Sequence, residues 1–154
     1  MVRKTIVCVI GVSMIAGCAP RVGLYRAEKL MSKGKWAEAE SLLHGIAQSH
    51  ARSPWCQKAL MLRGCVEFKQ NRLEDAERTL EAAREAVPGG EWADDAEYYL
   101  ARVRYRKGDI LEAREGFRRV MTAFGDDAKR SNCKVLALEE LEFIEKRGLV
   151  PSHG

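Results

Sequence analysis

Residues 61–83 read MLRGCVEFKQNRLEDAERTLEAA. Met61, Gly64 and Phe68 stand at i, i+3 and i+7, on one face of a helix. Gln70-Asn71-Arg72 then places an asparagine where a helix can end in the left-handed conformation that Gly and Asn tolerate best. Leu73, Ala76, Leu80 and Ala83 follow on one face of a second helix. The stretch is predicted to be a helical hairpin, and it recurs in both directions at a step of 37 residues. That step aligns Ala39, Ala76 and Ala113; Ala27, Gly64 and Ala101; Met31, Phe68 and Tyr105; Gly34, Asn71 and Gly108; Trp36, Leu73 and Ile110; and Leu43, Leu80 and Phe117. A repeat of this length implies an all-α stack in which each unit buries its apolar face against its neighbours. Such arrays bind other molecules more often than they transform them.

Small residues at 27, 64 and 101 and at 39, 76 and 113 are needed where the two helices of one hairpin cross closely. This pattern resembles the tetratricopeptide repeat: small at the eighth place, Gly or Asn at the fifteenth, Ala at the twentieth and bulky at the twenty-fourth. Pro88 falls at the thirty-second. The resemblance spans residues 20–127 and implies three helical hairpins in a solenoid, within an expected repeat region of 24–127. Two places depart from it: the seventh holds Arg26 and Arg63, and the eleventh holds Glu67 and Arg104, where large apolar residues are usual. The family's unit is about 34 residues, so each unit here carries three more, ahead of its first helix. Trp55 and Trp92 recur in that insert, and Ser53-Pro54 reads as an N-cap followed by proline at the first helical position. The tryptophans are expected to pack between units. Units of this length are similar to those of the lipoprotein of the outer-membrane β-barrel assembly machinery and of the Tol–Pal-associated periplasmic division coordinator.

The N-terminus carries a different signal. Arg3 and Lys4 precede an uncharged, mostly apolar stretch from Thr5 to Gly17, too short to span a bilayer as a helix. Its end, Ile15-Ala16-Gly17-Cys18, resembles the bacterial lipobox. The resemblance implies that residues 1–17 are removed and that Cys18 becomes a lipid-bearing first residue. Ordinary cleavage after Ala19 is the competing reading, with Pro20 making a poor substrate just past the cut; a chance cysteine in an uncleaved anchor is another. With Ala19 rather than Asp after Cys18, the expected location is the periplasmic face of a bacterial outer membrane. Residues 18–23 are then expected to be a short tether. Removing Arg3 and Lys4 leaves 24 basic against 22 acidic residues, with no clustering that would suit nucleic acid.

Past Gly125 a last helix is expected over 128–147, with Val135, Leu138, Leu141 and Ile144 on its buried side, capping the stack, and 148–154 as a flexible tail. His44, His50 and His153 lie far apart, and no nucleophile comes with a recognisable base, so no catalytic, cofactor or metal site and no small-molecule substrate are expected. Cys56, Cys65 and Cys133 are expected to be free thiols, with Cys133 about two repeats from the others.

The resemblance places the binding groove on the first helices, at Leu24, Tyr25, Glu28, Met61, Leu62, Cys65, Phe68, Lys69, Tyr98, Tyr99, Arg102, Tyr105 and Arg106. Rigid aromatics with flanking cations suit an extended or helical peptide, although Phe68 and Tyr105 could equally be interhelical core. Replacing Tyr98 and Tyr99 with Ala is expected to abolish partner capture without unfolding the array. The groups with which this family clamps a terminal carboxylate are replaced here by Leu24, Glu28, Leu62, Asp95 and Tyr99. The expected function is a membrane-anchored adaptor for an envelope protein or peptide. A pilotin-like escort of a secretin and a non-catalytic subunit of an envelope enzyme stand as alternatives.

Overall fold

Each predicted hairpin forms two antiparallel helices. The computed structural model describes residues 19–122 and 132–147, and these contain seven α-helices and no strand. The first unit is α1 (Ala19–Ser32) and α2 (Trp36–Ser49), the second α3 (Pro54–Lys69) and α4 (Leu73–Ala86), the third α5 (Ala93–Lys107) and α6 (Ile110–Thr122). A single helix, α7 (Cys133–Lys146), closes the row. The turn column explains the sharp reversals: Gly34, Asn71 and Gly108 have φ of 70°, 61° and 93°, the left-handed region. Ser53 caps α3, its Oγ accepting the amide of Cys56 at 3.2 Å, with Pro54 following at the first helical position.

Within a hairpin the small column sets the approach. A Cβ added at Gly64 would stand 2.5 Å from Leu80 Cγ, so α3 and α4 cross closely there, with the Leu80 side chain packed into the space a larger residue would need. Ala39, Ala76 and Ala113, and beneath them Leu43, Leu80 and Phe117, are fully buried. Each recurring tryptophan packs between its own unit and the one before: Trp55 against the core shared by α1, α2 and α3, with Arg21 over its ring, and Trp92 against that of α3, α4 and α5, with Lys58 over its ring. First helices touch first helices, α1 to α3, α3 to α5 and α5 to α7, whereas second helices do not meet one another. The stack therefore curves, with the first helices on its inner face.

Of the polar residues at apolar places, Arg63, Glu67 and Arg104 form ion pairs between or within units, and Arg26 is exposed. Glu67 is fully buried with Arg63 Nε 3.0 Å from its Oε1. Arg104 reaches back from α5 to Glu77 at 3.0 Å and Glu81 at 2.9 Å on α4. Buried Glu97 takes Arg84 at 3.3 Å and Arg119 at 2.7 Å.

Two expectations are corrected. The tether at 18–23 is helical from Ala19 onward, because the first turn of a helix has no use for the amide that Pro20 lacks, and Pro20, Leu24 and Ala27 are buried. The buried side of α7 is Cys133, Ala137, Leu141 and Ile144; Val135 and Leu138 are 61% and 46% exposed. The small Cys133 and Ala137 let α7 settle onto the bulky Tyr98 and Phe117, and that choice rotates the helix away from the expected stripe. The expected signal segment 1–17, Cys18, Gly125, residues 128–131 and the tail 148–154 lie outside the described residues.

Candidate functional site

The inner face divides the expected groove residues into two sets. Leu24, Met61, Cys65, Phe68 and Tyr98 are buried and belong to the cores that hold the units together. Tyr25, Lys69 and Arg106 are exposed, and Glu28, Leu62, Tyr99, Arg102 and Tyr105 are half-buried. Tyr98 packs its ring on Phe117, centroids 5.9 Å apart, and on Tyr99 at 5.4 Å. Truncating Tyr98 and Tyr99 together would therefore damage the core, which corrects the expectation that the pair could be removed without loss of structure.

What the fold does bring together is a concave pocket of about 260 Å3 between α3, α5 and α7, lined by Phe68, Arg102, Tyr105, Arg106, Glu140 and Phe143. Four of these six were expected from the sequence. Glu140 and Phe143 come from α7, whose glutamates read in sequence as a solvated face. The available signal was Phe143 itself, an aromatic outside the stripe of Leu141 and Ile144. The guanidinium carbons of Arg102 and Arg106 lie 5.3 Å and 5.4 Å from the centre of the Phe68 ring, so two cations lie against one aromatic ring. Arg102 Nε is 3.7 Å from Glu140 Oε1, and Arg106 donates to Asn71 Oδ1 at 2.7 Å. Phe143 meets Tyr105 edge to face at 6.4 Å and carries Arg147 at 4.3 Å on its ring. Arg106 and Arg147 remain exposed. The pocket thus offers apolar ring surface beside guanidinium donors, an arrangement suited to a peptide side chain or carboxylate arriving with an apolar neighbour.

Deeper in the same face, α7 folds back to bring Cys133 to α5, where its Sγ is 2.9 Å from Asp95 Oδ1. Cys133 is therefore closer to the middle of the stack than its sequence distance suggests. Burial pushes the Cys65 thiol well above the usual range, and Tyr99 is pushed up first by its neighbour Cys65 and then by its own burial. Burial also raises Asp95 against the lowering effect of the Cys133 hydrogen bond. Cys56 and Cys65 are free thiols, both they and Cys133 are buried, and the protonated Cys65 is poorly disposed to act as a nucleophile. Among the described residues no group of three or more His, Cys, Asp or Glu is placed to hold a metal ion, and no helix is long and apolar enough to cross a membrane.

The family model for the tetratricopeptide repeat matches residues 26–91 and, in an overlapping second register, 62–128. The chain belongs to the tetratricopeptide-repeat family. No curated protein matches it. The two matched registers cover all three hairpins from Arg26 onward, so the repeat frame and the family agree, and the inner face described above is the one that tetratricopeptide repeats line with their first helices.

Proposed function

We propose that the protein is a lipid-anchored, non-catalytic adaptor of the bacterial envelope that captures a peptide segment of a partner protein on the inner face of its solenoid. The observation that carries the reading is the pocket of Phe68, Arg102, Tyr105, Arg106, Glu140 and Phe143, where the guanidinium groups of half-buried Arg102 and exposed Arg106 converge with ring surface. The anchor rests on the lipobox-like Ile15-Ala16-Gly17-Cys18, and Ala19 favours the periplasmic face of the outer membrane. Acyl chains on Cys18 hold the array at the membrane, since each buried CH2 contributes about 0.8 kcal/mol, and they raise the effective concentration of the groove near envelope partners.

Two experiments test the halves of this proposal. Arg102→Gln/Arg106→Gln should reduce partner recovery in affinity capture from the native envelope at least tenfold while the melting temperature stays close to that of the parent; undiminished capture removes the pocket from the account. Cys18→Ala should yield an unprocessed, unlipidated chain, and normal lipid labelling of that variant would refute the anchor.

A further inference from the structure

A cleft larger than the inner-face pocket lies elsewhere. It is a slot of about 870 Å3 along the seam of α1 and α2, beginning at Ala19 and Pro20 and running past Gly23 to Leu30. The repeat frame gives it an internal control. A second, smaller cleft of about 260 Å3 lies at the seam of α3 and α4, lined by Leu60, Arg63, Asp75, Arg78, Thr79 and Ala82. Every one of those six stands one 37-residue step after a residue lining the first slot. The two are the same place in successive units, and several substitutions between them remove bulk or polarity, while Arg26 and Glu38 keep the charges of Arg63 and Asp75. Leu60 is replaced by Gly23 and Ala82 by Gly45, which removes bulk; Thr79 is replaced by Leu42, and Glu67 and Gln57 beneath the seam by Leu30 and Pro20, which removes polarity. Unit one has an open slot whose apolar floor of Pro20, Leu30, Leu42 and Ile46 is edged by Arg26, Glu38, Ser41, Ser49 and His50, where unit two is narrower and more polar.

Gly45 shows that the space is not taken up by the fold. It lies inside α2, where glycine is the least favourable residue after proline, and a Cβ there would meet nothing within 4 Å. The position leaves bare backbone facing the slot. A peptide strand laid there would bring amides and carbonyls that Pro20, Leu30, Leu42 and Ile46 cannot pair, whereas an alkyl chain brings none. From Ala19 to Leu30 the slot follows α1 for about 16 Å, close to the depth of one leaflet of a hydrocarbon core of about 30 Å. Residue 18 is bonded to Ala19 at the slot's mouth.

We infer that this slot holds an acyl chain, and that the chain is the one carried by Cys18 of the same molecule. The inference rests on the proposed lipidation of Cys18 and extends it: the lipid lies against the first unit, so that anchor and array move as one body. Ser41 and Gly45 form the wall opposite α1, where the arginine and alanine of the second unit narrow the equivalent cleft.

The test is made on the full chain expressed in a bacterial envelope with a diazirine-bearing palmitate as the metabolic label, irradiated and mapped by mass spectrometry. The expected product is an intramolecular crosslink from the lipid on Cys18 to the α2 segment 37–49. Gly45→Leu and, independently, Ser41→Arg should keep the Cys18 label and the melting temperature while reducing that crosslink at least tenfold. Label on Cys18 with crosslinks only to bilayer lipid overturns the slot and leaves the anchor intact. A crosslink undiminished in both variants also overturns it. Adducts on 37–49 that persist in Cys18→Ser identify a bilayer lipid as the occupant and overturn the assignment to the protein's own chain. Absence of any label on Cys18 overturns the anchor, and the inference with it.

Discussion

The two junctions between units do the same job with opposite chemistry. Between the first and second units the eleventh place of α3 is Glu67, fully buried, with Arg63 in its own helix 3.0 Å away and Glu40 of α2 at 3.8 Å from Arg63. Neither Glu67 oxygen is aligned for a hydrogen bond. Between the second and third units the same place is Arg104, half-buried, held by Glu77 and Glu81 of α4, with Lys107 joining Glu77 at 2.5 Å. The first junction hides a carboxylate that is incompletely satisfied, its partner Arg63 staying partly exposed; the second is a partly exposed network of four charges. Apolar and small columns keep the repeat in register, while the polar column is rewritten from unit to unit. The units are consequently not interchangeable, since a Glu67-type surface and an Arg104-type surface require different neighbours.

The largest expected effect comes from breaking the first junction. Glu67→Ala empties a fully buried place and takes from half-buried Arg63 its nearest counter-charge, with Glu40 still 3.8 Å away, and should cost about 3 kcal/mol in denaturant unfolding. Replacing both partners, Arg63→Met/Glu67→Leu, should come within about 1 kcal/mol of the parent or exceed it; a double variant as unstable as the single one would mean that the pair is not the source of the loss. Gly64→Ala sharpens the same comparison, since Ala is native at the equivalent 27 and 101. Helix propensity favours Ala by about 1 kcal/mol, yet the added Cβ would meet Leu80 at 2.5 Å, so a net loss of about 1–2 kcal/mol is expected. A gain in stability would show that α3 and α4 can separate.

Effects at the second junction should be smaller and dependent on conditions. Arg104→Met should cost about 1 kcal/mol at low salt, and the difference should shrink in high salt; a salt-independent loss would place the network in a drier setting than its exposure implies. Burial works to raise Glu77, but hydrogen bonds and charge from Lys107 and Arg104 outweigh it and hold its carboxyl below the usual 4.5. A lowered folded value means the stabilisation is present above pH 4.5 and is lost as pH falls through that lower value. The acid limb of unfolding should accordingly flatten in Glu77→Gln, and an unchanged limb would remove Glu77 from the acid response.

Much of this was legible in the chain. The 37-residue step located all three hairpins, and Gly34, Asn71, Gly108 and Ser53 marked turns and a cap because each residue type answers a local backbone demand. The oddity of Glu67 and Arg104 at apolar places was visible, but their partners were not, since Glu77 meets Arg104 across 27 residues of chain. The rotation of α7 escaped for another reason. Val135, Leu136, Leu138, Leu141, Phe143 and Ile144 are spread around the helix, so only the shape offered by α5 and α6 decides which stripe is buried. The groove was half legible: curvature determines which side chains of an inner helix face the neighbouring helix and which face the opening, and it sent Leu24, Met61, Cys65, Phe68 and Tyr98 to the core.

The central claim is that partners are taken on the inner face beside α7. Its most direct test places a photo-crosslinking amino acid at Phe143, at Tyr105 and, on the second helix of the third unit, at the exposed Leu111, each in the otherwise unaltered chain in its native envelope. Positions 143 and 105 should give the same discrete adduct and position 111 none. An adduct at 111 with none at 105 and 143 would contradict the account.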